Sequence, residues 1–243
     1  MSNFKILVIN LEKNLYRHKK LEQQLIQYDI SNYLFIPAIN GDTLKDNELI
    51  ELPKSLYRKN TNSPREIPFE TIYFTHFHPN EIACIKSHII AINLAIKLNL
   101  DYVIILEDDI IICQDWNTRL EKLLILVPKN WTHIYLSGQP DESIEKFHPL
   151  NFAPFLHVEQ SIATEGAFSY MLKKEVFEVV KENLLKFSAP TDTVIKQLIA
   201  EKKLISYTFY PFLSYHDNNI VSDIWKKEYK VDHDSKRYFV NKL

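Results

Sequence analysis

Apolar and polar positions follow two periods along the chain, and the places where the period changes divide it into elements. Phe4-Lys5-Ile6-Leu7-Val8-Ile9-Asn10 is a β-rich apolar run. Leu15, Leu21, Leu25 and Ile26 then form a helical stripe, and Tyr33 to Ile36 is a second short strand stopped by Pro37. A buried strand followed at once by an amphipathic helix and another strand opens a βαβ unit with parallel pairing. From Asn40 to Pro79 both periods vanish among prolines 53, 64, 68 and 79. That stretch reads as loop with short helices, and as a candidate lid.

Regularity returns after Pro79. Ile82, Ile85, Ile89, Ile92 and Ile96 recur at three- and four-residue steps, which predicts a helix from about Asn80 to Leu98 with Asn80 as its N-cap. Val103-Ile104-Ile105-Leu106 is apolar on both faces, as a central strand must be. Asp115 caps a predicted helix to Val127, and His133–Leu136 follows as a strand. A strand pair around Phe155–Gln160 and Gly166–Leu172 comes next, then a helix over Lys174–Leu185. Thr191 caps a helix to Glu201, and Ile205–Tyr210 is the last strand. The alternation predicts an α/β fold built as one domain over residues 1–243: an open, mostly parallel twisted sheet flanked by helices.

Composition narrows the chemistry. The chain has 3 glycines in 243 residues, too few for a Gly-x-Gly-x-x-Gly turn or a Walker A loop, both of which need clustered glycines against phosphate. A bound nucleotide would have to be anchored by side chains or a metal. With 29 Lys+Arg against 31 Asp+Glu the net charge is −2, so no global field favours nucleic acid. Cys84 and Cys113 make no disulfide framework and read as buried free thiols of a reducing compartment. No apolar run approaches the ~20 residues of a membrane span. These features predict a cytoplasmic protein. The basic tail of Lys226, Lys227, Lys230, Lys236 and Arg237 leaves open a peripheral contact at the inner face of a membrane, although Glu228, Asp232 and Asp234 interrupt it.

The most informative segment is Glu107-Asp108-Asp109, three carboxylates directly after a buried strand. Open α/β sheets bind ligands at the carboxyl ends of their strands. Carboxylates gathered there repel one another and lose solvation, and a hard cation such as Mg²⁺ or Mn²⁺ offsets both costs. The bland alternative is a polar turn after the strand. In the preceding helix Glu81, Cys84 and His88, with Ser87 adjacent, share one face.

Two of these segments resemble glycosyltransferase family 25. Asn80-Glu81-Ile82-Ala83-Cys84-Ile85-Lys86-Ser87-His88 is similar to the family's Gly-Glu-Ile-Gly-Cys-x-x-Ser-His motif, and Ile105-Leu106-Glu107-Asp108-Asp109-Ile110 to its Ile-Leu-Glu-Asp-Asp-Val motif. Asn80 and Ala83 stand where the family has glycine. The outer motifs fall in the same order: Val8-Ile9-Asn10-Leu11 with Arg17, Ala38-Ile39-Asn40-Gly41, Gly166–Leu172, Pro190-Thr191-Asp192 and Ser222-Asp223-Ile224. The family includes bacterial lipooligosaccharide galactosyltransferases and procollagen galactosyltransferases.

The resemblance implies a GT-A-like fold, with residues 1–136 as the nucleotide-sugar half and 137–243 as the acceptor-side half and C-terminal segment. It implies inverting transfer of a hexose, galactose first, from a UDP-linked or similar nucleotide sugar to a glycan or glycoconjugate hydroxyl. Mn²⁺ or Mg²⁺ is the implied cofactor, with Asp109, Glu107 and His216 as its ligands. Asn10, Arg17, Glu81, Ser87, His88, Glu107 and Asp108 are the implied donor-binding residues. Asp192 is the first candidate for the base and Glu165 the reserve. Two other readings stay open: a metal-dependent hydrolase built on His76-Phe77-His78, Glu81 and the acidic cluster, and a non-catalytic nucleotide-sugar-binding relative. Aromatics Tyr57, Tyr73, Phe74 and Phe77 of the long loop suit sugar stacking or ordinary packing.

Overall fold

In a computed structural model the chain is described over residues 3–45, 78–139, 156–161, 164–217, 219–220 and 223. The expectations placed on His76, on the aromatics of the long loop, on Ser222 and Ile224 and on the basic tail lie outside those residues.

Nine strands and five helices follow one another in the described parts. They are β1 (Phe4–Asn10), α1 (Leu15–Gln27), β2 (Tyr33–Pro37), α2 (Pro79–Lys97), β3 (Tyr102–Glu107), β4 (Ile110–Ile112) and α3 (Trp116–Leu126). After them come β5 (His133–Tyr135), β6 (His157–Gln160), β7 (Ser169–Lys173), α4 (Phe177–Leu184), α5 (Thr191–Ala200), β8 (Ser206–Tyr210) and β9 (Ser214–His216). Seven strands make one sheet in the order β2-β1-β3-β7-β5-β8-β6, and β4 pairs with β9 apart from it. Strands β2, β1, β3, β5 and β8 run one way, and β7 and β6 run the other. The sheet is therefore open and mostly parallel, as expected, with β7 inserted antiparallel between β3 and β5.

Strand alternation builds two cores on opposite sides of this sheet. Leu7, Val103, Ile105 and Leu172 pack with α2, α4 and α5. Ile6, Val8, Ile104, Leu106 and Met171 pack with Leu21 and Leu25 of α1 and with Trp116, Leu120 and Leu123 of α3. Both faces of the central strands are covered, which is why their sequences are apolar without interruption. Leu25 is fully buried, and truncating a leucine so placed costs about 2–5 kcal/mol.

Four local expectations change. Asn80 does not cap α2. His78 does, its Nδ1 accepting from Asn80 N–H (3.2 Å) while Glu81 Oε2 accepts from His78 N–H (2.8 Å). With Pro79 at the first helical position, this is a capping box that starts the helix two residues earlier than the asparagine suggests. Asp115 stands at the start of α3, but its carboxylate binds Arg119 instead of the helix amides. Pro190, not Thr191, precedes α5. Finally, β6 and β7 do not pair with each other. β6 lies on β8, and β7 on β3 and β5, because the intervening chain leaves the edge of the sheet and re-enters at its middle.

Candidate functional site

Strand β1 ends at Asn10 and β3 ends at Glu107, side by side and parallel. Their carboxyl ends open into a pocket of about 620 Å³, continuous with solvent, whose lining includes Arg17, Cys84, Ser87, His88, Glu107, Asp108 and Asp109. The crevice stands where an open α/β sheet binds its ligands.

The three consecutive carboxylates do not form one cluster. Ile105 belongs to the core on the α2 side and Leu106 to the core on the α1 side, and the alternation carries on to Glu107 and Asp108, where the chain turns. Glu107 faces α2, where its Oε1 lies 3.2 Å from His88 Nε2. His88 is fully buried, and its Nδ1 lies 3.0 Å from the Tyr170 hydroxyl. Asp108 faces α1, where it accepts from Asn10 Nδ2 (2.6 Å) and Arg17 Nη1 (3.1 Å).

Arg17 binds three carboxylates at once. Besides Asp108 it reaches Asp109 Oδ2 (3.6 Å) and Asp223 Oδ2 (3.0 Å). Asp223 is fixed from both ends, since its Oδ2 accepts from Asn14 Nδ2 (2.7 Å) and its carbonyl from Asn80 Nδ2 (2.6 Å). No periodicity or cluster marked Asp223, a single aspartate in a polar tail. Its place in the Ser222-Asp223-Ile224 motif was the one available signal.

Charge and burial set the proton affinities. Burial first, and the neighbouring Asp109 second, push the Asp108 carboxyl up to about 6 against the pull of Arg17 and Asn10. Asp109 is also driven up by burial, but His216 and Arg17 outweigh that and hold it below the ordinary carboxylate range. Burial, then Glu107 and Asp192, raise the Cys84 thiol well above its usual value.

Asp109 is 5% exposed, and its Oδ1 has no hydrogen-bond partner among the described residues. The His216 Nε2 lies 3.4 Å from its other oxygen. The β4–β9 pair makes this contact, with Ile110 opposite His216 and Asp217 N–H donating to the Asp109 carbonyl (2.8 Å). One guanidinium against three carboxylates leaves a deficit of positive charge. A hard divalent cation on the free Asp109 oxygen fits that deficit and that donor chemistry.

The remaining candidates divide. Ser87 lines the pocket, its Oγ accepting from Ile39 N–H (2.9 Å) and donating to the Ala83 carbonyl (2.7 Å). It thereby holds the Ala38–Gly41 turn against α2. A Cβ at Gly41 would stand 2.0 Å from Asn80 Oδ1 and 2.7 Å from the Asn80 backbone, so the asparagine in place of the motif glycine is tolerated because position 41 has no side chain. Glu81 is taken up in the α2 capping box and is not among the pocket-lining residues. Asp192 sits in the first turn of α5, where its Oδ1 accepts from its neighbour Thr193 N–H (2.7 Å). Burial raises its carboxyl, and Glu165 adds to that rise while Thr193 and Lys196 oppose it. Glu165 is ion-paired with Lys196. Neither Asp192 nor Glu165 lines the pocket, although Asp192 is near enough to act on the Cys84 thiol. Among the described residues, Cys84, His88 and Glu107 form a group whose potential ligand atoms all lie within 4.8 Å of one another. No helix of the described chain is long and apolar enough to cross a membrane.

Two solved structures are distantly similar to this chain. A197 from STIV is 11% identical with a TM-score of 0.47, over 90% of this chain and 86% of that one. A glycosyltransferase involved in the glycosylation of the major capsid of PBCV-1 is 10% identical with a TM-score of 0.36, over 74% and 66%. Likenesses this distant carry no argument about chemistry. No curated protein matches the sequence. The sequence profile of glycosyltransferase family 25, described as an LPS biosynthesis protein, matches residues 3–208, which include both strand ends, the α2 face and the acidic segment: the chain belongs to glycosyltransferase family 25.

Proposed function

We propose that this glycosyltransferase moves a hexose, galactose first, from a UDP-linked nucleotide sugar to a saccharide or hydroxylysine-type hydroxyl, with inversion and with Mn²⁺ or Mg²⁺. The observation that carries the reading is Asp109: a buried carboxylate lining a strand-end pocket, one of whose oxygens has no hydrogen-bond partner among the described residues. Asp109 and His216 would hold the cation. Glu107 would join them only by leaving His88. A divalent cation there supplies Lewis-acid neutralisation of the departing diphosphate.

The chain's own residues supply the rest. Arg17 neutralises Asp108 and Asp223 and is placed to meet a donor phosphate by exchanging one of those partners. Asn10 and Asp108, hydrogen-bonded to each other, offer polar groups for the ribose or phosphates. Ser87 and His88 shape the wall opposite, and Glu81 acts on the donor only through the helix it caps. Asp192 is the proposed base for the acceptor hydroxyl, and its raised proton affinity suits a group that must take up a proton. Glu165 is the reserve. The proposed place of action is the cytoplasm, with a peripheral contact at the inner face of a membrane left open.

The hydrolase reading relied on His78 as a ligand. His78 Nδ1 instead closes the α2 capping box, and the family assignment favours transfer.

The test is a panel of nucleotide sugars offered with and without Mn²⁺, read as nucleotide release and as transfer. Metal-dependent turnover of one donor is expected. Asp109→Ala should lose metal-linked donor affinity by at least about a hundredfold, since even outer-shell changes at metal sites cost 10–100-fold, while thermal melting shows an intact fold. Unchanged donor affinity in that variant would remove Asp109 from the site.

A further inference from the structure

The α2 wall of the pocket carries a second, chemically different set of donors. Cys84 and His88 are four residues apart on α2, hence stacked on one face, and Glu107 meets them from the end of β3. Cys84 Sγ, a His88 nitrogen and a Glu107 oxygen all lie within 4.8 Å of one another. Ligand atoms around a tetrahedral zinc stand roughly 3.5 Å apart, so side-chain rotation of about an ångström closes the set. A thiol with an imidazole selects a softer ion than the carboxylates beside Arg17 do.

The surroundings suit a metal as well. The buried His88 ring is oriented by Tyr170, whose hydroxyl lies 3.0 Å from Nδ1, the outer-shell contact that fixes a ligating imidazole. With the ring proton on Nε2, His88 would donate to Glu107 and accept from the Tyr170 hydroxyl at Nδ1. With Nε2 bound to metal, Nδ1 carries the proton and Tyr170 accepts it. All three ligands line the pocket, which leaves a fourth position open toward it.

We propose that Cys84, His88 and Glu107 form a site for Zn²⁺ or another thiophilic divalent ion, distinct from the hard-cation position at Asp109. Binding exchanges the Cys84 S–H bond and the His88–Glu107 hydrogen bond for three metal–ligand bonds, with the thiol proton released to solvent. The site stands without any assumption about transfer. Its consequence rests on the proposed function: zinc there fixes Glu107 against α2 and fills one side of the donor pocket, so it inhibits.

The test uses the full chain, stripped with a chelator, held in excess Mg²⁺ to fill any hard-cation position, and titrated with Co²⁺. A single bound Co²⁺ with a thiolate-to-cobalt charge-transfer band is expected, and Zn²⁺ should bleach it. Cys84→Ser should lose the band and weaken Zn²⁺ at least tenfold. Cys113→Ala, which alters the other thiol, should keep both. His88→Gln retains Cys84 and should weaken the ion at least tenfold, so the site is tested even if Cys84→Ser does not fold. Absence of the band in the unmodified chain, its survival in Cys84→Ser, or its loss in Cys113→Ala overturns the site. In a turnover assay Zn²⁺ should inhibit the unmodified chain at concentrations at least tenfold lower than Cys84→Ser, each against its own uninhibited rate. Equal sensitivity overturns the inhibition. A cobalt band without turnover of any donor refutes the transfer reading alone, and metal-dependent turnover without the band refutes this site alone.

Discussion

The two walls of the pocket are made from the same three-residue run and solve the problem of buried charge in opposite ways. On the α1 wall, Asp108, Asp109 and Asp223 are strapped by one arginine and two asparagines. On the α2 wall, Glu107 meets an imidazole and, nearby, a thiol among the described residues. The first wall gathers carboxylates around one guanidinium, while the second sets a single carboxylate against an imidazole and a thiol. The difference teaches that consecutive carboxylates at a strand end are not automatically one cation site, because strand alternation hands neighbours such as Glu107 and Asp108 to opposite faces.

Removing the strap should break this contrast most visibly. Arg17→Met leaves Asp108 and Asp109 buried without their cation, and losing one partner of a buried pair costs roughly 3–5 kcal/mol. Thermal melting should show that loss, and added Mn²⁺ should restore more stability to the variant than it adds to the unmodified chain. Glu107→Gln on the other wall keeps a hydrogen-bonding group beside His88 and should cost under about 1 kcal/mol. Comparable losses from the two variants would mean that the walls do not differ in the way described.

A pH profile sharpens the same comparison. An unfolded aspartate titrates near 3.9, whereas Asp108 is pushed up to about 6 in the folded chain. Between about pH 4 and 6 the folded protein therefore holds a proton the unfolded chain has lost, so stability falls as pH rises across that window. The full displacement of roughly two units corresponds to about 3 kcal/mol. Asp108→Asn should remove that fall when denaturant unfolding is followed in chelator. Asp109, held below its ordinary value, contributes with the opposite sign. Its stabilisation is present above the unfolded pKa and is lost as pH drops through the folded one. Asp192 is raised like Asp108, so the difference between variant and unmodified chain carries the test. An unchanged slope in Asp108→Asn would show that Asp108 is ionised throughout.

Much of this frame could be read from the chain alone. β1, β3 and α2 were legible because apolar runs and three-to-four-residue spacing are strong local signals. β4 and β9 were not, since each is three residues long and Ile110 must find His216 across the whole second half. His216 and Asp109 were assigned to one ligand set, and the β4–β9 pair brings their side chains within 3.4 Å of each other. The separation of Glu107 from Asp108 was missed although the alternation through Ile105 and Leu106 announced it, and the turn at Asp108-Asp109 that brings Asp109 to Arg17 has no such local signal. His78 was passed over as a cap because asparagine is the commoner choice, and only the tertiary position of Asp223 explains why Asn80 is engaged elsewhere.

The smallest effect separates positioning from chemistry on the α2 wall. Ser87 Oγ is the acceptor for Ile39 N–H, and that bond ties the Ala38–Gly41 turn to the helix carrying Cys84 and His88. Ser87→Ala removes the acceptor and leaves a partly buried amide unsatisfied, a cost of about 1–3 kcal/mol, toward the lower end where water can reach it. The hydroxyl also returns a bond to Ala83 O within its own helix, and that carbonyl keeps its helical partner, so no second penalty accrues. If Ser87 only fixes the turn, melting temperature drops slightly, donor KM rises a few-fold as the turn loosens, and kcat holds. A fall in kcat with KM unchanged would instead place the hydroxyl at the reacting groups, and the α2 wall would then share in the chemistry.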